Sequence, residues 1–217
     1  MVTVARLIGI TVGFYLGIVA HDAAQAAMAA RLGDRYPKMQ GRVTLKPKPH
    51  VDPVGTLIMP GLFLFLSLIG QPFRFVFGYG KQMQLNPSAL RNPKRDRILI
   101  ALAGPAVNVA IVAAAGYAAR VAFPVGATRM QVTVWQIFVL IMAVNAFLLV
   151  INILPIPPLD GSKMLAVFLS PATQFKMQEY GQYFLLFLVV LFIFLPGVPG
   201  AMADPICRAF SGVVCGL

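Results

Sequence analysis

The sequence predicts an all-α polytopic membrane protein with four to six membrane segments and a short extended or β element after the first. Three observations carry this prediction. Of 217 residues, 59% are hydrophobic and 12% charged, against about a quarter charged in soluble domains. Apolar runs of about 20 residues, long enough to cross a bilayer core, recur along the chain. The net charge of +11 gathers between those runs, where Lys and Arg meet anionic headgroups and bias orientation. That placement names the lipid bilayer, not nucleic acid, as the partner of the basic residues.

The first segment covers about Val2 to Ala30. It carries Arg6 early and ends in polar residues rather than a small-residue cleavage site, so it reads as a retained segment and not a signal peptide. Gly9, Gly13 and Gly17 recur every four residues and share one helical face, where small residues let another helix approach closely. Gly33 is placed to end the helix as a left-handed cap. The basic, proline-dotted stretch from Arg35 to Pro53 follows. Within it Val43 and Leu45 alternate with polar neighbours over Gln40–Leu45, weak strand character that predicts extended chain at the membrane surface, as a hairpin or a re-entrant loop.

A second segment runs from about Val54 to Phe77, broken at Pro60-Gly61 and Gly70-Gln71-Pro72. The third runs from Ile98 to about Phe123 and the fourth from about Val132 to Leu154, with Asn145 and Asn152 two helical turns apart on one face. A short helix is expected over Gly161 to Leu169, a fifth segment over Tyr180 to Leu195, and a Gly/Pro-broken interfacial tail from Pro196. The chain reads as a single membrane domain over 1–217, with its C-terminal segment and tail at 178–217. It has no internal repeat, which argues against a transporter of repeated halves. Cys207 and Cys215 are too few for a disulfide framework. Orientation stays open. The loop after segment one holds six Lys/Arg and the loop after segment two holds five. Simple alternation puts these loops on opposite sides, against a one-sided positive rule, unless segment two does not span fully.

The chemistry concentrates in two polar intrusions. His21 and Gln25, four apart, project from one face of the first helix, and Asp22 lies about 100° round from His21. An ionisable residue inside a spanning helix costs roughly 2.5–3.5 kcal/mol, so it usually has a partner or a role. The other intrusion is Asn152-Ile153-Leu154-Pro155-Ile156-Pro157-Pro158-Leu159-Asp160-Gly161. Its prolines cannot continue a helix, and the bend they make could aim Asp160 at the first segment. The His21-Asp22 pair could equally sit solvated near the membrane edge.

The order of blocks carries a resemblance. His21-Asp22-x-x-Gln25-Ala26 is followed by Leu32-Gly33-Asp34, Gln40-Gly41-Arg42-Val43-Thr44-Leu45 and His50-Val51-Asp52-Pro53-Val54-Gly55-Thr56. Then come Asn92-Pro93-Lys94-Arg95-Asp96, Ala103-Gly104-Pro105-x-x-Asn108 and Asn152-x-Leu154-Pro155-x-Pro157-Pro158-Leu159-Asp160-Gly161. Over residues 15–165 the chain resembles the site-2 protease family of intramembrane zinc metalloproteases, in its short bacterial form. The resemblance implies a multi-pass protein of a bacterial cell membrane that cleaves transmembrane or membrane-associated protein substrates with zinc. It also implies His21 and Asp160 as metal ligands, Gln25 at the place of a second histidine ligand and Asp22 at the place of the glutamate base.

The two departures are chemical. A glutamine offers a neutral amide oxygen, poorer for Zn²⁺ than imidazole. Asp is a methylene shorter than Glu, which draws the carboxylate back by roughly 1–1.5 Å, and misplacement on that scale can cost on the order of 100-fold in rate. Zinc is therefore either lost or held in a changed way. In the second case His50 could join His21 and Asp160 as a ligand, with Asp22 or Asp52 as base; alternatively His50 only bonds backbone. Asn108 stands as a catalytic oxyanion donor or a helix pin. Asn152, with Gly104 and Pro105, stands on the substrate-binding side. The expectation is a pseudoprotease that binds transmembrane helices of partner proteins, with an active peptidase using His21, His50 and Asp160 as the alternative.

Overall fold

The computed structural model describes residues 4–68, 78–122 and 128–215. Helix α1 (Val4–Phe14) passes through one π-helical turn (Tyr15–Ala20) into α2 (His21–Leu32). Together they make a rod whose apolar part spans Ala5–Leu32. Gly33, at φ +118°, ends it by bonding its N–H to the Ala29 carbonyl, as the left-handed cap requires. The short helix α3 (Tyr36–Met39) follows, then turns and bends to Asp52.

The extended element expected at Gln40–Leu45 does not form a strand, and no strand occurs among the described residues. Its polar groups are drawn into local bonds instead of a ladder. Arg42 Nη2 donates to the carbonyls of Pro49 and Lys81, and the Thr44 carbonyl accepts from His50 Nε2. The stretch folds back along the first helix, where Tyr15 Oη donates to the Leu45 carbonyl at 2.8 Å. A π-helical turn (Pro53–Ile58) then leads into α4 (Met59–Leu68), which runs through Pro60-Gly61 without a break. Residues 69–77, with the expected break at Gly70-Gln71-Pro72, lie outside the described residues.

Helix α5 (Pro93–Ala122) runs antiparallel to the first rod, and α6 (Arg129–Ile153) runs parallel to it. The glycine stripe sets that second contact. A Cβ at Gly9 would meet Leu140, at Gly13 Val144, and at Gly17 Leu148 and Asn145. Each step of four on α1 thus matches a step of four on α6. After the proline turn come α7 (Asp160–Leu165), a 3₁₀ turn to Phe168, and α8 (Pro171–Phe194), which starts well before the expected Tyr180. Phe192 of α8 meets Phe147 of α6 edge-to-face at 5.5 Å. The tail from Pro196 is not broken chain. Its residues form α9 (Val198–Ser211), which packs against α5 and α6 and is closed by a Cys207–Cys215 disulfide.

The core of the bundle is Phe147, Met142, Val112, Phe192 and their neighbours, all essentially buried. Among the described residues three helices are long and apolar enough to cross a membrane, or four if α8, bent by 43°, counts as one span. The protein is an all-α membrane protein.

Candidate active site

The π-helical turn ahead of α2 rotates His21 toward α5 and α6, and π turns leave backbone groups that side chains can claim. Asn108 of α5 and Asn145 of α6 claim them. Asn145 Nδ2 donates to the Gly13 carbonyl at 3.2 Å, and Asn108 Nδ2 lies 3.4 Å from the Gly17 carbonyl. Asn108 Nδ2 also donates to Asn145 Oδ1 at 3.0 Å, which turns Asn108 Oδ1 toward His21. His21 Nδ1 meets that oxygen at 2.5 Å. On its other side, His21 Nε2 meets Asp160 Oδ2 at 2.6 Å. Gly104 is what lets the ring sit there, because a Cβ at that position would collide with the imidazole. Pro105 follows inside the helix without ending it.

Asp160 reaches His21 because the chain after Ile153 leaves the helix and re-enters it at α7. Its second oxygen, Oδ1, accepts from Lys163 Nζ at 2.6 Å, one turn further along α7. Burial opposes the charge on Asp160, but Lys163 and the His21 contact outweigh it and hold the carboxyl below the usual carboxylate range. His21 therefore faces an acceptor at each ring nitrogen. The Gln25 amide nitrogen lies 3.1 Å from His21 Nε2.

Asp22 lies on the cleft wall, next to the fold-back loop. Its Oδ2 lies 3.6 Å from His50 Nδ1, and Arg42 adds a positive field from the same fold-back loop. His50 is fully buried, with Nε2 donating to the Thr44 carbonyl at 2.9 Å. Burial pulls the Arg42 guanidinium below its ordinary value, and Asp22 opposes the shift. Asp22 Oδ2, His50 Nδ1 and Arg42 Nη1 are buried and make no hydrogen bond. Together they are polar enough to enclose an ordered water. Asp52 caps the turn at Pro53 by accepting from the N–H groups of Val54 and Gly55.

The structure thus brings His21, Gln25, Asn108 and Asp160 together and puts Asn152 on the wall of the same cleft. That cleft is a cavity of about 90 Å³, bounded by Gly17, His21, Asp22, Asn152, Asp160 and the irregular chain Gly78–Met83. It does not bring His50 to His21 and Asp160. Sequence reasoning missed three participants. Asn145 was visible only as a face-mate of Asn152. Lys163 had the signal of i,i+3 spacing from Asp160. Arg42 had no signal beyond its charge.

Comparisons with known proteins agree with this architecture. Residues 118–196 match peptidase family M50. The chain is 29% identical over 203 residues to the "Putative zinc metalloprotease YwhC" of Bacillus subtilis (strain 168), covering 89% of this chain and 86% of that protein. It is 32% identical over 181 residues to the "Putative zinc metalloprotease Rip2" of Mycobacterium tuberculosis (strain ATCC 25618 / H37Rv), covering 83% of this chain and 65% of that protein. The chain therefore spans less than two thirds of the length of Rip2. No solved structure matches. The chain is similar to peptidase family M50, the site-2 protease family, through the match at residues 118–196 and through these relatives.

The relatives' names imply zinc, and the residues present do not fit it in the manner of the family motif. Among the described residues no three His, Cys, Asp or Glu side chains stand where they could hold one metal ion. His21 Nε2 and Asp160 Oδ2, at 2.6 Å, are closer than two ligands on a tetrahedral ion with bonds of about 2.0–2.2 Å, which stand roughly 3 Å apart or more. The third position is a glutamine amide.

Proposed function

We propose that this chain is a non-catalytic member of family M50, a multi-pass protein of a bacterial cell membrane. It binds transmembrane helices of partner proteins in the cleft beside His21 and does not cut them. One observation carries the reading: the motif side chains are closed on one another. His21 spends both ring nitrogens on Asn108 and Asp160. Asp22, at the place of the base, is on the cleft wall with its Oδ2 3.6 Å from His50 Nδ1.

The cleft keeps features that suit a bound chain. Asn152 offers an amide on its wall, and Gly78–Met83, outside any helix or strand, line it. Extended backbone is what an opened transmembrane helix presents, and its polar groups need partners in an apolar setting. The test places a photo-crosslinking residue, p-benzoylphenylalanine, at position 152 of the full chain, co-expressed with a tagged single-span protein whose helix contains a Gly-Pro break. The expected product is a crosslink to the full-length tester, with no shorter tester fragment. A fragment that vanishes in an Asp160→Ala variant would establish a peptidase instead. Absence of any crosslink would remove the binding role.

A further inference from the structure

We propose that one end of the bundle, built from Arg31, Arg35, Lys38, Arg91, Lys94 and Arg95, is a binding surface for the anionic phospholipid headgroups of a single leaflet. By the positive-inside bias that leaflet is the cytoplasmic one.

The first observation is where the chain returns. A Cβ at Gly33 would collide with the Ala89 carbonyl oxygen, and Asp34 Oδ2 accepts from the Asn86 N–H at 2.7 Å. The excursion from the end of α2 to the start of α5 therefore begins and ends at the same end of the bundle. The two basic loops that alternation would separate lie together.

The second observation is that the carboxylates are withdrawn from this surface. Asp34 and Asp96 are both fully buried. Asp34 accepts from the N–H groups of Tyr36 and Asn86, and Asp96 from that of Asn92. Arg95 reaches Asp96 at 3.0 Å. Arg31, Arg35, Lys38 and Lys94 are exposed with no ion-pair partner among the described residues. Moreover, Lys94, without such a partner, occupies the first turn of α5, where the helix dipole disfavours cations. The helix itself gives it no reason to be there, whereas an external anion does.

The third observation is apolar. Met39 is 82% exposed and Tyr36 42% exposed, both on α3 beside Arg35 and Lys38. Exposed apolar side chains set among cations suit the boundary between headgroups and acyl chains. At the other end, α1 carries Arg6 in its first turn, α5 finishes with Arg120 and α6 begins with Arg129, a sparser charge.

The full chain is reconstituted in bilayers, and its association with spin-labelled phosphatidylglycerol and phosphatidylcholine is compared. Phosphatidylglycerol should associate at least about threefold more strongly at low salt, and the preference should fade as salt screens it. Replacing Arg31, Arg35, Lys38 and Lys94 by Gln should bring the ratio near parity; these side chains are exposed and make no ion pair among the described residues. Arg120→Gln with Arg129→Gln should leave it unchanged. In parallel, Lys38→Cys and Lys94→Cys should both react with an impermeant maleimide in inverted membrane vesicles, and neither in intact cells. Parity in the parent protein, an unchanged ratio in the fourfold variant, or an equal loss in the Arg120/Arg129 variant would overturn the proposal. Labelling of positions 38 and 94 from opposite faces would overturn it too. Lipid parity combined with tight binding of an acidic peptide would give the surface to a protein partner and likewise overturn it.

Discussion

Asp160→Ala is expected to cost about 3–5 kcal/mol of stability, the scale for removing one partner of a buried ion pair. The reason is positional. Asp160 is the anion between His21 and Lys163, at 2.6 Å from each, and it is 4% exposed. Truncation leaves His21 Nε2 without its carboxylate partner and the Lys163 ammonium without its anion. Asp160→Asn keeps an acceptor toward His21 but not the charge, and should cost roughly half as much. Equilibrium unfolding of the full chain in mixed micelles measures both. An alanine variant as stable as the parent would mean that the pair does not hold α7 to the first helix.

Gly161→Ala is expected to cost on the order of 2–4 kcal/mol. Gly161 lies in the first turn of α7, and a Cβ there would collide with the carbonyl oxygens of Ile153 and Leu154. Both obstacles are backbone at the end of α6, so no rotamer change relieves them. The turn must shift, and it carries Asp160 with it. The cost should therefore be strongly non-additive with Asp160→Ala, since both act through the same contact. Gly61→Ala is the control. That glycine sits inside α4 with open space around it, so alanine should be neutral or stabilise by up to about 1 kcal/mol. Similar losses at both positions would show that the clash at Gly161 is not the cause.

Much of the site is legible in the sequence because its physics is local. An ionisable pair inside an apolar run demands a partner, and the proline turn before Asp160 supplies one. The glycine stripe fixes a face of α1 before any neighbour is known. What could not be read depends on long-range return of the chain. His21 and Asp22 are adjacent and point about 100° apart. Which partner each meets is decided by the fold-back of residues 42–50, and nothing in the local pattern ties Arg42 or His50 to Asp22. Asn145 and Asn152 share a face, as their spacing says, but lie about 10 Å apart along the axis. One is buried beneath the π turn and the other lines the cleft. The expected strand at Gln40–Leu45 failed for want of a neighbouring strand. The tail misled because Pro199 falls in the first turn of α9, where proline is tolerated.

Zinc content of the full chain, purified without chelator, tests the central claim most directly. The closed His21–Asp160 pair predicts far less than stoichiometric zinc, with no increase after incubation with micromolar zinc. Stoichiometric zinc that disappears in His21→Ala and Asp160→Ala variants would contradict it, and would return the chain to the working metallopeptidases of family M50.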